Sequence, residues 1–429
     1  MRFLKKIESD SAERIGISYY STSSEGTGGE IKRRINDFIV EEIDEKGKLH
    51  EIKAFEGEEK KEVKVAVPEK NGSYLIAELE KYNIDTNQAI RQVARWMQSS
   101  RYAIGYAGMK DKRAITCQLV SIKENNIERL TEFNSRYLDV RPLYWVDKGM
   151  EIGGLQGNKF TVTIRKINEE EEVIRKKAEN SLNEMKSGIA NYFGPQRFGG
   201  IRSLTHLVGK QFVRGNFREG VMTYLCEHCE EEEDEVKEAR KNLKDSQDFS
   251  RATKEFPVKY RYERAIIHEL CKNPNDFVNA FHQLPKGLRF MFTHAYQSYL
   301  FNRCISKRFE KGIGIKTDPD DILDNGFPTA ALFGHESLIY EGIAGDIEKE
   351  VLEEEELDLE EFKIKQMPEL TSRGTRRSIV VVPKYLELIE IGDDEFNEGT
   401  KKLTLSFSLN KGSYATIALA EIIKNGLCL

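Results

Sequence analysis

The sequence predicts an α+β fold in which strand-rich segments at both ends of the chain enclose a helix-rich middle. Three observations point that way. Residues 30–43, 73–82, 101–122 and 159–167 carry β-branched and aromatic residues in partial alternation. From residue 188 to residue 380 the texture turns helical, with acidic runs and Gly/Pro-punctuated loops such as "KGIGIKTDPDDILDNGFPTAALFG". Near the end, "KLTLSFSLNKGSYATIALAEII" returns to a strand followed by a helix. The predicted organisation is a body made of 1–187 and 382–429, interrupted by an inserted domain at 188–381.

Taken in order, residues 1–25 are polar and Ser-rich and read as loop or turn. "EIKRRINDFIVEEI" (30–43) reads as strand, turn, strand, and "SYLIAELEKY" (73–82) as a further strand. A helix follows, with Thr86 expected as its N-cap and Ile90, Val93, Ala94 and Met97 at helical spacing on one face. "RYAIGYAGM" (101–109) and "AITCQLVSI" (114–122) read as strands flanking "KDKR". "KFTVTIRKI" (159–167) sets Phe160, Val162 and Ile164 against Thr161, Thr163 and Arg165, the pattern of a half-buried strand. The next segment reads as a helix with Ile174, Ala178, Leu182 and Met185 inward and Gly188 as its stop.

The chain has 429 residues, 39% of them hydrophobic, so a sizeable core is within reach; its formal net charge is −6. That balance argues against a non-specific nucleic-acid binder, which is usually basic overall. The acid is concentrated, however, in "EEEEDE" (230–235) and "EEEELDLEE" (353–361), expected to be solvated faces or loops. The N-terminal half is basic in patches such as "EIKRRI" and "FTVTIRKI". "MRFLKKIESD" lacks the apolar run of a secretory leader, and the chain has no stretch of ~18 apolar residues to span a membrane. Six unevenly spaced cysteines suit a reducing cytoplasm.

Several chemistries can be weighed from spacing. "GTGGEIK" lacks the Gly-Lys-Ser/Thr ending of a phosphate loop, and no Gly-x-Ser-x-Gly is present. "CEHC" and "HELC" offer Cys226, Cys229, His268 and Cys271 as a four-ligand zinc set. The two pairs lie far apart and "HELC" sits in a helical pattern, which favours packed side chains. Cys117 in its strand reads as a small buried hydrophobe. There remains "AGMKDKRAITCQ" (107–118), where Asp111 stands among Lys110, Lys112 and Arg113, with Gly108 just before. It is either a charged turn between strands or a carboxylate used as nucleophile or base.

These segments resemble the TruD family of tRNA pseudouridine synthases. "GTGGEIKRRINDFIVEE" is similar to the family's opening segment, with Lys32 at its marked lysine. "GMKDKRAITCQ" resembles the catalytic segment and sets the catalytic aspartate on Asp111. "GNKFTV" supplies Asn158 and Phe160; "NYFGPQRFGG" (191–200) carries Arg197; "GSYAT" (412–416) resembles the C-terminal signature. Arg113 departs from the family, some members having His there, and the cysteine pairs are off its pattern. The resemblance implies a pseudouridine-synthase-like, two-lobed mixed-sheet core interrupted by an α/β TRUD domain. It also implies isomerisation of a tRNA uridine, usually uridine thirteen, with no cofactor, no metal and no membrane.

That reaction breaks the N1–C1′ bond, turns the base and joins C5 to C1′. No water is activated, so one carboxylate can suffice where glycosidases use a pair. The base must leave the stack at a cost of a few kcal/mol. Phe160 is expected to offset part of this by stacking, worth ~1–3 kcal/mol. A carboxylate kept ionised away from water wants a cation nearby. In an extended segment Lys110 and Lys112 point away from the Asp111 side, and Arg113, on the same side, varies in the family, so Lys32, at the family's marked lysine, is the expected ion partner. Arg197 is expected to meet phosphate or an acidic partner. The inserted domain is expected to grip tRNA through Arg197, Arg202, Lys210, Arg376 and Arg377, with both acidic runs facing away.

Overall fold

The computed structural model describes residues 5–57, 59–63, 65–123 and 126–427. The chain adopts the expected mixed α+β architecture as two compact units. One holds 24–187 and 382–425; the other holds 188–381 together with the described residues up to 23 and those from 426.

The first unit is built on a mixed sheet. Its main strands are β1 (Phe38–Ile43), β2 (Tyr74–Tyr82), β3 (Ile115–Ile122), β4 (Leu138–Val146), β5 (Gly157–Ile167), β6 (Lys384–Asp393) and β7 (Lys401–Asn410). Their spatial order is β6-β7-β5-β1-β3-β2-β4. Short strands at Leu49–His50 and Ile104–Tyr106 pair with β1 and β3. β1 and β3 run parallel, and the other neighbours along this path are antiparallel. β4 lies at the end of the path, which suits Pro142, a residue that cannot donate to a further strand.

Alternation assigns the two faces. Lys81 pairs in register with Thr116, which pairs with Val40, then Phe160 and Phe407; the next row runs Gln118, Glu42, Asn158 and Leu409. The opposite face carries Glu41, Cys117, Glu78, Glu80, Asp139 and Arg141. Helix α1 (Thr86–Trp96) buries Ala89, Ile90, Val93 and Ala94 against Ala77, Leu79, Val120 and Leu138 on the first face. Each fully buried aliphatic side chain contributes roughly 1.5–3 kcal/mol. The cap of α1 is Asp85, whose carboxylate accepts from the Gln88 amide at 2.9 Å, and not Thr86, which is its first residue. The carboxylate one residue ahead of the helix does the capping and leaves the Thr86 hydroxyl for another use. α2 (Glu171–Met185) buries Ile174, Ala178, Leu182 and Met185, and Gly188 follows at φ +104°. α3 (Ala415–Ile423) closes the unit.

Residues 30–43 form one strand rather than two. Glu30 makes only a single bridge to Arg165, and a short 3₁₀ turn at Ile35–Asp37 leads into β1. The glycines before it explain the approach: a Cβ on Gly29, at φ +95°, would lie 2.6 Å from Ile164 Cγ2 and 2.7 Å from the Arg165 carbonyl.

The second unit is largely helical around the long helix Lys286–Glu310. Phe212, Phe281 and Phe292 pack with ring centroids 4.4–6.1 Å apart. The N-terminal segment belongs here and not with 24–187. Buried Asn302 donates to the Ile15 carbonyl at 2.9 Å, and Ser306 donates to the Gly16 carbonyl at 2.8 Å. Polar side chains on a distant helix organise this Ser-rich stretch, which no local pattern reveals.

Candidate active site

The segment 107–113 leaves the short strand Ile104–Tyr106 and returns into β3, and its backbone is pinned at three points. Gln118 Nε2 donates to the Gly108 carbonyl at 3.0 Å. The Lys110 amide donates to Thr86 Oγ1 at 3.0 Å, and that hydroxyl donates on to Gln118 Oε1 at 3.3 Å. Lys81 Nζ donates to the Asp111 carbonyl. Lys81 is wholly buried. Burial pulls its pKa down to about 8, against the opposing attraction of Asp111 and Asp85.

So held, Asp111 sets one carboxylate oxygen 3.7 Å from Lys32 Nζ. The two side chains are 40% and 16% exposed, respectively. A pair this open contributes at most about 1 kcal/mol to stability. Lys32 has φ +56°, a left-handed conformation that costs a non-glycine residue of order 1–3 kcal/mol. Its ammonium also lies over the Phe38 ring, 4.3 Å from the centroid. Strain without a compensating stability gain is typical of a residue placed for use.

Lys110 turns away from the Asp111 carboxylate, as extended geometry predicts. Its Nζ meets Glu42 Oε2 at 2.7 Å in a fully buried pair and donates to Asn158 Oδ1. Glu42 Oε1 accepts from the Leu119 amide at 3.1 Å. Asn158 is thereby fixed beside the segment, opposite Glu42 in the β1–β5 register. Arg113 lies outward and donates to the Arg33 carbonyl at 3.1 Å. Phe160 is buried, stacked on Phe407 at 5.5 Å and edge-on to Phe38 at 6.1 Å. Lys32, Asp111, Asn158 and Phe160 thus belong to one unit and one face of its sheet.

Arg197 belongs to the other unit. Its Nε donates to Ser298 Oγ at 3.1 Å, and it pairs with no carboxylate among the described residues. The other basic residues expected to grip phosphate are engaged. Arg202 lies 3.6–3.8 Å from Glu263 and Glu232, Lys210 2.7 Å from Glu355, and Arg376 2.8 Å from Glu348. Arg377 donates to Asn191 at 2.8 Å. Each acidic run sends a carboxylate inward: Glu232 meets buried Arg240, and Glu355 meets Lys210 and accepts from the Tyr296 and Tyr299 hydroxyls. The zinc set does not assemble: among the described residues no group of three or more His, Cys, Asp or Glu converges as for a metal ion. Cys226 is buried while His268 is exposed on its helix.

Sequence reasoning missed Lys81, Glu42, Thr86 and Gln118. A signal existed for the first: "YLIAELEKY" places a lysine on the face that otherwise carries Ala77 and Leu79.

The family model for tRNA pseudouridine synthase D (TruD) matches residues 14–326 and 322–422. A protein of Methanosarcina acetivorans named "Probable tRNA pseudouridine synthase D" is 37% identical over 448 aligned residues, covering 96% of each chain. A Methanopyrus kandleri protein of the same name is 38% identical over 356 residues, covering 82% of this chain and 86% of that one. A crystal structure of a Methanosarcina mazei protein assigned to tRNA pseudouridine synthase D superposes with a TM-score of 0.77 at 34% identity, covering 96% and 98%.

Proposed function

The chain belongs to the TruD family of tRNA pseudouridine synthases, and on that premise we propose that it converts uridine thirteen of tRNA to pseudouridine with Asp111 as the catalytic carboxylate. The observation that carries this is the Lys32–Asp111 pair, 3.7 Å apart, on a segment whose backbone is pinned while its carboxylate stays open.

In this reading the target uridine leaves the stack and meets Asp111 with its ribose. The carboxylate either attacks C1′ as N1 departs, or takes the C2′ proton to give a glycal. In both routes the freed base turns and C5 bonds to C1′; in the first, C5 displaces the carboxylate from C1′, and in the second, C2′ regains its proton as that bond forms. The C5 proton is then lost while N1 gains one, so the product is an isomer of the substrate. The Lys32 ammonium faces the Asp111 carboxylate at 3.7 Å and steadies the charge returned to it after the step. Lys81 and Thr86 hold the loop, since an error of 1 Å in a reacting group can cost about 10²-fold in rate. Asn158, fixed by Lys110, is positioned to donate its amide to the uracil edge, and Phe160 forms an apolar wall behind it. The compartment this substrate implies is the cytoplasm.

The test is to incubate the protein with unmodified tRNA transcript and map pseudouridine by position. Pseudouridine at position thirteen is expected from the wild-type chain, and none from Asp111→Asn, although the variant still binds tRNA. Substantial single-turnover product from Asp111→Asn would remove Asp111 from the chemistry.

A further inference from the structure

We propose that the unit carrying residues 188–381 holds an RNA contact of its own. There, two stacked rings of the helix Lys286–Glu310, Phe290 and His294, flanked by Lys286 and by Arg197 from a neighbouring turn, take a single-stranded nucleotide segment, stacking a base on His294 and seating a phosphate on Arg197. It rests on the reading of this chain as a tRNA-modifying enzyme and names a further surface by which it would grip that substrate.

Lys286, Phe290, His294 and Ser298 recur every four residues and so share one stripe of the helix. Lys286 Nζ lies 5.6 Å from the Phe290 ring centroid. Phe290 and His294 stack nearly parallel, 14° apart, with centroids 6.3 Å apart. Ser298 then accepts from Arg197 Nε, which aims the rest of the guanidinium; Ser298 is itself fixed by donating to the His294 carbonyl at 2.7 Å. Phe193 lies under that guanidinium at 5.6 Å. His294, Arg197 and Phe193 line a pocket of about 320 Å³ whose far wall carries Ser372, Arg373 and Thr375.

The chemistry of this row is that of a nucleotide chain. Bases stack on planar side chains regardless of sequence, and phosphates are met by cations set between them. His294 is exposed. Partial desolvation and then the Arg197 charge lower its pKa, which leaves a neutral ring face for a base at pH 7. Arg373 is exposed, and among the described residues its guanidinium has a loose contact of 3.8 Å to exposed Glu336. The protein as a whole has a formal charge of −6, so an unneutralised cation beside an aromatic stack is a local departure from its surface. An acidic peptide would use the cations and leave the rings idle.

The experiment is fluorescence anisotropy of a labelled oligouridine decamer and of a tRNA transcript, titrated with the full chain at several salt concentrations. Arg197→Gln should weaken both probes and reduce the slope of log affinity against log salt by about 0.7, one phosphate's share on a single strand. His294→Ala should weaken binding about 5–10-fold with the slope unchanged, and His294→Phe should restore it. If Arg197→Gln does not fold by circular dichroism, Arg373→Gln on the same pocket reads the same slope. Unchanged affinity and slope in these variants overturns the inference, as does displacement of the decamer by oligoglutamate of equal charge. A chain that binds RNA through this row but forms no pseudouridine overturns the proposed activity alone. One that forms pseudouridine while the row variants bind normally overturns this inference alone.

Discussion

The sheet of the 24–187/382–425 unit buries charge on both faces and uses it in opposite ways. On one face Arg141 donates to Glu78 at 3.0 Å and Asp139 at 2.9 Å and pairs with Glu80. His50 sits between Glu78 at 2.8 Å and Asp44 at 3.3 Å, and Glu80 also accepts from the Lys53 and Ala54 amides. On the other face the backbone of 107–113 is equally well tied, but the Asp111 carboxylate has one long contact, and its second oxygen pairs with nothing among the described residues. If Asp111 is the catalytic group proposed above, the difference teaches how to tell a structural carboxylate from a working one. The first spends all its lone pairs on the protein; the second is positioned through its backbone and keeps them for a substrate.

Substitutions on the two faces should therefore separate activity from stability. Asp111→Asn should lower single-turnover pseudouridine formation at least about a thousand-fold, equivalent to about 4 kcal/mol of barrier. Its melting temperature should stay close to wild type, because so exposed a pair contributes little; a large loss of stability would put Asp111 on the structural side. Arg141→Met should do the reverse. Removing one partner from a buried charge cluster costs about 3–5 kcal/mol, read from denaturant unfolding, while the folded fraction keeps its rate. A stable, inactive Arg141→Met would break the comparison.

Lys32→Met should cut the rate about 10–100-fold, or ~1.4–2.8 kcal/mol, with stability close to wild type, since so exposed an ion pair contributes little and Met keeps the same left-handed backbone. An unchanged rate and pH profile would make Lys32 a surface lysine. A smaller effect belongs to Lys81. Burial holds its pKa at about 8, so the ammonium beside Asp111 is charged below that pH and is lost above it. The wild-type rate should fall along an alkaline limb near pH 8, and Lys81→Gln should be slower at all pH values and lack that limb.

The smallest effect concerns acid stability. Burial alone would raise the Glu78 carboxyl, but the His50 contact and the Arg141 charge outweigh it and lower it from its ordinary 4.5 to about 2. Its contribution is then complete above about pH 4.5 and is lost as pH falls toward 2. Glu80 works against this trend, because burial wins there and raises its pKa. Glu78→Gln should flatten the decline of unfolding free energy across that window; an unchanged slope would show that the cluster does not govern acid unfolding.

Strand and helix positions follow from period and composition, which are local properties. β2, β3, β5, β7 and α1 could all be read that way. The motif around Asp111 was legible too, because a lone acid among three bases between two strands is a local oddity, and the family resemblance gave it a role. The N-terminal segment was not legible, since its partners Asn302 and Ser306 lie nearly 300 residues away. Neither were Glu232 and Glu355, which look solvated within their acidic runs until the cations they neutralise are in place. The residues that hold Asp111 illustrate the same limit. Thr86 and Gln118 are unremarkable in sequence, Lys81 shows only as a lysine on an apolar strand face, and all three act because β-sheet register and helix packing bring their polar atoms to the backbone of one loop. Sequence determined which groups were present and which local structures they form. Tertiary structure decided which charges were neutralised and which were left for use, because burial and pairing depend on neighbours that chain order does not specify.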